Sequence, residues 1–111
     1  MPYARQHLVQ PPSREAVDHL AGAALVEFGT PWCGHCQRAQ PLIEQALQQN
    51  DDVVHLKIED GPGQPLGRSF GVKLWPTLVF LRDGKEVRRL VRPQAQQDIM
   101  DAVQAIVGTS D

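Results

Sequence analysis

The chain has 111 residues, 41% of them hydrophobic, which suits one compact domain. Its 11 basic and 13 acidic side chains lack the concentrated positive charge of a general nucleic-acid binder. We therefore expect a single domain over residues 1–111, with a polar lead over 1–12, a core over about 13–108 and no nucleic-acid partner.

The first 20 residues, MPYARQHLVQPPSREAVDHL, have no apolar stretch behind a basic start, so they do not resemble a secretory signal. No later window approaches the run of about 20 apolar residues that a membrane-spanning helix needs. From these two observations we expect a cytosolic protein without a membrane partner.

The first half of the chain predicts a short helix, a strand and a longer helix. Ser13 can cap a helix of about 14–20 that Gly22 ends, and AALVEF then predicts a strand. A helix over about 34–49 follows, with Pro41 expected to kink it. One stripe of this helix is apolar: Ala39, Leu42, Ile43, Ala46 and Leu47.

The second half predicts three more strands and two helices. DVVHLKI is a strand, residues 65–70 a short helix, and TLVFLR and KEVRRLV form a hairpin around the turn DG. A last helix, ended by Gly108, has the apolar face Ala95, Ile99, Ala102, Val103, Ile106 and Val107. This order predicts an α/β fold with a mixed sheet covered by helices on both faces.

The two cysteines of the chain, Cys33 and Cys36, lie two residues apart in WCGHC. A disulfide between them would close too small a loop to act as a structural staple. Zinc is the main rival to redox chemistry, since Cys33, His35 and Cys36 are all ligand types. However, no second CxxC or HxxxH supplies the four ligands of a structural site, so we expect no metal and no cofactor, with a metal bridging two copies left open.

The position of the pair predicts different roles for the two thiols. Cys33 lies at the start of the helix, where free backbone amides and the helix dipole lower a thiol pKa, so we expect it to be the exposed nucleophile. Cys36 lies on the buried stripe and is the expected resolving thiol.

Glu27 is an acidic residue in a strand that should be almost wholly apolar. If it is buried, desolvation should raise its pKa and let it accept the proton of Cys36 during resolution. The alternative is a carboxylate at a solvated strand end.

His35 lies between the two cysteines. When protonated it should favour the thiolate of Cys33 and make the disulfide more oxidising, and the alternative is an ordinary exposed helix residue. We assign the other three histidines structural roles: His7, His19 and His55.

Together, LVEF, WCGHC, the proline five residues later, and WPTLVF followed by DG resemble the thioredoxin family over about residues 25–107. The tetrapeptide CGHC is similar to protein disulfide isomerase domains rather than to ordinary thioredoxins. The resemblance implies a four- or five-stranded mixed sheet flanked by helices, a redox disulfide between Cys33 and Cys36, and modulation of its chemistry by Gly34 and His35.

The resemblance also implies a substrate-binding surface. It predicts a cis bond between Trp75 and Pro76, a proline beside the cysteines, and backbone hydrogen bonds from residue 75 to an extended substrate. Trp32 and Trp75 would form its apolar rim. From the residues alone, Pro76 could equally be trans and both tryptophans could belong to the core.

Some residues depart from the family pattern. Gly29 replaces a frequent aromatic residue, Leu74 a frequent glycine, and an Arg-Pro pair at 92–93 a small turn. Arg92, with Arg88 and Arg89, could support Cys33 or steer an acidic partner, although we favour a solvated strand face for this cluster.

From these observations we expect a monomeric thiol:disulfide oxidoreductase that reduces protein disulfides in the cytosol. Its expected electron donor is an upstream reductase, either a thioredoxin reductase-like enzyme or glutathione. An oxidant or isomerase and a redox-sensing scaffold without turnover remain as alternatives.

Overall fold

The computed structural model describes residues 3–107 of the chain. These residues contain four helices and four strands, in the order α1 Arg14–Asp18, β1 Ala23–Gly29, α2 Gly34–Leu47, β2 Val54–Glu59, α3 Pro65–Ser69, β3 Thr77–Arg82, β4 Lys85–Val91 and α4 Gln96–Val107. The predicted order of elements is confirmed, and most boundaries move by one or two residues.

The strands form one mixed sheet in the order β2-β1-β3-β4. β1 runs parallel to β2 and antiparallel to β3, and β3 forms the predicted hairpin with β4. Asp83 and Gly84 both have positive φ, at 52° and 80°, which is the turn geometry that the twist of a two-residue hairpin favours. The α/β fold class with a mixed sheet is confirmed.

Helices cover both faces of this sheet. One core cluster packs α2 and α4 against Leu25, Leu78 and Phe80, and the other packs α1 and α3 against the opposite faces of the same strands. Side chains alternate between faces along a strand, so Glu27 is on the same face as Leu25 and lies toward α2. The burial of every residue of β1 places the only acid of that strand inside the protein.

Several local predictions need correction. Helix α2 ends at Leu47 rather than at about Gln49, although it continues through Pro41 as expected. Ala95 precedes α4 and is exposed, so it is not part of the apolar face, because its position lies in the loop that leads into the helix. Gly108, the predicted end of the last helix, lies outside the described residues. No helix within residues 3–107 is long and apolar enough to cross a membrane.

Candidate active site

The cysteine pair lies where β1 gives way to α2. Cys33 is the N-cap of α2, with an extended backbone, and its Sγ accepts a hydrogen bond from the amide of Cys36 over 3.3 Å. A sulfur in this position satisfies one of the free amides at the helix start. The prediction that Cys33 is exposed is wrong, because both cysteines are buried: Cys33 is 8% exposed and Cys36 is 3% exposed.

The two thiols differ much more in acidity than in exposure. Burial alone would raise the pKa of Cys33, but hydrogen bonds from the Cys36 thiol and from the amides of Cys36 and His35, with the charge of Arg92, lower it below its usual value. Burial, the hydrogen bond to Cys33 and the nearby negative charges raise the pKa of Cys36 to about 12. Cys33 is therefore the more readily ionised of the two thiols, and Cys36 stays protonated near neutral pH.

Gly29, the last residue of β1, makes room for the second sulfur. A Cβ at this position would lie 2.5 Å from the Sγ of Cys36, far inside van der Waals contact. The absence of a side chain at Gly29 thus lets α2 pack its cysteine against the end of the strand.

Glu27 is 1% exposed, which confirms burial and excludes the solvated strand end. Its Oε1 contacts Nε2 of His55 at 2.9 Å, and its Oε2 accepts a hydrogen bond from Nε2 of Gln40 at 2.8 Å. The predicted direction of its pKa is wrong. Desolvation does raise it, but the hydrogen bonds from His55 and Gln40 and the positive charge of Lys57 together lower the pKa of Glu27 below its ordinary value.

Gln40 joins the buried acid to the cysteine pair. Its Nε2 also donates to the backbone oxygen of Cys36 over 2.7 Å, while its Oε1 accepts hydrogen bonds from Tyr3 Oη and Lys57 Nζ at 2.8 and 2.9 Å. The ammonium group of Lys57, which is 6% exposed, donates to Gln40 and to the backbone oxygen of Arg5. Gln40 thus bridges Lys57 and the buried acid.

His55 and Gln40 were not identified from the sequence as site residues. A structural role is the expectation for His55, and the structure adds a direct contact between its imidazole and the buried carboxylate. A signal existed in the alternation of VVHLKI, which places Val53, His55 and Lys57 on one face. His19 is bonded to the backbone oxygen of Glu15, whereas His7 lines a cavity with Lys57 and is close enough for the charges of Lys57 and Glu27 to act on it.

His35 is exposed, and its Nδ1 lies 3.0 Å from the guanidinium of Arg38. Because a guanidinium only donates, Nδ1 must accept, and the ring is neutral. The charges of Arg92 and Arg38 lower the pKa of His35. The protonated form of His35 is therefore disfavoured, and Arg92 is the positive charge that lowers the pKa of Cys33.

The arginine cluster divides into two parts. Arg89 forms an ion pair with Glu86 on β4 and Arg88 is exposed, so the solvated strand face is the correct interpretation for these two. Arg92 lies in the next loop with a φ of 51°, and its Nε donates to the backbone oxygen of Trp75 over 2.8 Å. This residue belongs to the site.

The two tryptophans of the predicted rim contact each other. The bond between Trp75 and Pro76 is cis, as the resemblance implied. Trp32 is 70% exposed, so it is not a core residue, and it meets Trp75 edge to face with 5.7 Å between ring centroids. Trp75 also donates from Nε1 to Asp60 over 2.8 Å, which fixes its ring. Gly34, the first residue of α2, is exposed.

Two further observations bear on ligands. Among residues 3–107, no group of three or more His, Cys, Asp or Glu side chains is arranged to hold a metal ion. A cavity of about 350 Å³ reaches Cys36, between Arg5 and His7 on one side and Gln37 on the other. Thr30 lines it, and its buried hydroxyl has no partner among the described atoms.

Comparison with known proteins gives consistent matches. The thioredoxin family model matches residues 7–105. The solved structure of reduced thioredoxin 2 from Pseudomonas aeruginosa is 55% identical, covers 90% of this chain and 93% of that chain, and has a TM-score of 0.80. A mutant thioredoxin from Halobacterium salinarum is 29% identical over 86% of this chain and 84% of its own, with a TM-score of 0.73.

Curated relatives are longer proteins. Protein disulfide-isomerase A2 of Pongo abelii is 42% identical over 94 residues, and the human protein of that name is 38% identical over 112 residues. The alignments cover 79% and 80% of this chain but only 18% and 21% of the relatives. The chain thus spans about a fifth of the length of these two proteins.

A low-pKa cysteine at the start of a helix, a buried thiol three residues later and a cis proline define a domain of the thiol–disulfide oxidoreductase class. The family match covers nearly the whole chain. The chain belongs to the thioredoxin family.

Proposed function

We propose that the protein reduces disulfides in other proteins through Cys33 and Cys36. The observation that carries this proposal is the difference in acidity between two adjacent thiols at the start of α2. A thiolate is the nucleophile of thiol–disulfide exchange, whereas a protonated thiol does not attack a disulfide until it loses its proton.

The first step uses Cys33. Its thiolate attacks one sulfur of the substrate disulfide, a mixed disulfide forms, and the other substrate sulfur leaves as a thiolate that takes a proton from water. Trp32, Trp75 and Pro76 are the proposed docking surface, because Trp32 is next to Cys33 in the chain, is 70% exposed and packs against the ring of Trp75.

The second step uses Cys36 and Glu27. The mixed disulfide removes the negative charge of Cys33 and the acceptor for the Cys36 thiol, which are two of the causes that raise the Cys36 pKa. Glu27 is the proposed acceptor of that proton. Gln40 holds its carboxylate near Cys36, because the same amide nitrogen donates to Glu27 and to the backbone oxygen of Cys36. The Cys36 thiolate then attacks Cys33, the intramolecular disulfide forms, and the second substrate thiolate leaves. The substrate gains two electrons and the cysteine pair loses two.

The direction of exchange and the location are parts of the same proposal. We propose a cytosolic reductase, recharged by a thioredoxin reductase-like enzyme or by glutathione. The neutral state of His35 supports this direction, because a charged ring beside Cys33 would stabilise the reduced form and favour oxidation of substrates.

A second candidate function is a redox-sensing scaffold that binds one partner without turnover. It is favoured by one contact, in which Arg92 donates to the backbone oxygen of Trp75 and so occupies a group that an extended substrate would use. A general reductase needs this oxygen to be available, whereas a protein with one cognate partner does not.

The test is reduction of insulin with a recycling thiol reductant. The wild-type protein should accelerate it, and Cys33→Ser should abolish the acceleration. If the wild type shows no turnover, the scaffold is the better description. Equilibration of the cysteine pair against glutathione then fixes the direction, since a tenfold change in the exchange equilibrium corresponds to about 30 mV.

A further inference from the structure

The contact between His55 and Glu27 gives the imidazole a place in the proposed chemistry. His55 is on β2, in parallel register with Leu25 of β1, so its side chain lies on the same face as Glu27. The two side chains are 0% and 1% exposed, and Nε2 lies 2.9 Å from Oε1. Two buried polar atoms at this distance form a hydrogen bond, so one of them must carry the hydrogen that lies between them.

The backbone of the lead defines where that proton is. The amide of Ala4 lies 2.8 Å from Nδ1 of His55. A backbone amide only donates, so Nδ1 accepts and carries no proton. The single ring proton is on Nε2 and points at Oε1 of Glu27. His55 is therefore neutral and donates, and Glu27 is an ionised acceptor, with Gln40 donating to its other oxygen.

The lead is held over this pair by several contacts. The Tyr3 ring packs 5.5 Å from the His55 ring, and Lys57 donates to the backbone oxygen of Arg5 over 3.1 Å. The amide of Leu8 donates to the backbone oxygen of Lys57 over 2.9 Å. If Nδ1 also carried a proton, two N–H groups would point at each other, one from His55 and one from the amide of Ala4. Charging His55 would therefore require the lead to move away.

The other titratable groups around the carboxylate are on three elements. Lys57 is on β2 and is joined to it through Gln40. Tyr3, Arg5 and His7 are in the lead, and Cys36 is on α2. His55 is the titratable group that touches the carboxylate directly.

We propose that His55 is a positioning residue for Glu27, held in its Nε2-protonated form by the lead segment, residues 3–8. This inference rests on the proposed function, in which Glu27 accepts the proton of Cys36. The Nε2 donor favours the ionised form of Glu27 before the proton arrives, because a hydrogen bond from a neutral donor is stronger to a carboxylate than to a carboxylic acid. His55 itself takes no proton in the step, since both of its nitrogens are already in hydrogen bonds.

The test measures resolution alone. Reduced protein reacts with an aromatic disulfide, attack by Cys33 releases one coloured thiolate, and attack by Cys36 on the mixed disulfide releases the second. The rate of the second release is measured across about pH 3 to 9 in the wild type, His55→Gln and His55→Leu. The wild-type profile should fall on its acid side as Glu27 becomes protonated.

His55→Leu removes the donor, so the pKa of Glu27 should rise and the acid limb should move to higher pH by about one unit or more. His55→Gln keeps an amide donor near the Nε2 position, and its limb should stay within about half a unit of the wild type. Coincident limbs for His55→Leu and the wild type, or equal displacement by both substitutions, would overturn the proposal.

A second measurement needs no substitution at His55. In protein with His7, His19 and His35 replaced by glutamine, the nitrogen-15 spectrum of the remaining imidazole should show a protonated Nε2 and an unprotonated Nδ1 at neutral pH. A protonated Nδ1 contradicts the proposal. A wild type that releases no second thiolate instead contradicts the proposed function, and the spectrum still decides the proton position.

Discussion

Arg92 donates a hydrogen bond from Nε to the backbone oxygen of Trp75 over 2.8 Å, and its charge lowers the pKa of Cys33. One exposed side chain thus contacts the expected substrate-docking backbone and also affects the nucleophile. The two effects can be separated, because the acidity of Cys33 is measurable without a protein substrate.

Replacement of Arg92 should make Cys33 less acidic. Arg92→Gln removes a favourable charge, so the pKa of Cys33 should rise by about half a unit, the size expected of a solvent-screened interaction. Alkylation near neutral pH should slow about threefold. Arg88→Gln, on the exposed face of β4, is the matched control, and equal slowing by both variants would show that net charge alone is responsible.

Trapping of substrates should assign the two cysteines. Cys36→Ser leaves the nucleophile but removes the resolving thiol, so mixed disulfides should accumulate on Cys33. Cys33→Ser should accumulate none, because the pKa of Cys36 is about 12 and little thiolate is present at neutral pH. Non-reducing electrophoresis measures both, and comparable trapping by the two variants would refute the assignment of roles.

Gly29→Ala should destabilise the protein. Its Cβ would lie 2.5 Å from the Sγ of Cys36, so the start of α2 must shift. Overpacking of this kind costs about 1–3 kcal/mol of unfolding free energy, which urea denaturation measures. Gly34→Ala is the control, since its Cβ would meet only the end of the Arg38 side chain at 3.5 Å. Similar losses in both variants would contradict the role given to Gly29.

Glu27 should make stability depend on pH in a defined sense. Its folded-state pKa lies below its ordinary value of 4.5, so its ionised form contributes stability above that pH and the contribution is lost as the pH falls through the folded value. The unfolding free energy of the wild type relative to Glu27→Gln should therefore decrease below about pH 4.5. Urea unfolding of both proteins from about pH 7 to 3 measures it, and a constant difference would contradict the direction of the shift.

Much of the fold follows from local patterns in the sequence. Apolar residues predict most strands and the two longer helices, Ser13 and Gly22 predict α1, Pro65 predicts α3, and DG predicts the hairpin turn between β3 and β4. Ala95 is the exception, since it continues the apolar period but lies ahead of the last helix. Periodicity describes which face a residue would occupy in a helix and leaves open where that helix begins.

The site was less predictable, because its residues come from segments distant in the chain. The burial of Glu27 follows from an acid in an apolar strand, whereas its pKa depends on Gln40 from α2 and on His55 from β2. Desolvation alone predicts the wrong direction. The lead has no apolar period that indicates packing, yet the amide of Ala4 determines which nitrogen of His55 holds the proton.

Gln40 has every hydrogen-bonding position of its amide in use, with two bonds donated from Nε2 and two accepted at Oε1. This arrangement removes the usual ambiguity in the orientation of a side-chain amide, since the flipped form would set its NH₂ group against Tyr3 and Lys57. It also explains why a glutamate of the same shape could not replace it, as a second carboxylate would repel Glu27. The position therefore requires a neutral group of this length that is both a double donor and a double acceptor, and glutamine is the side chain that meets this requirement.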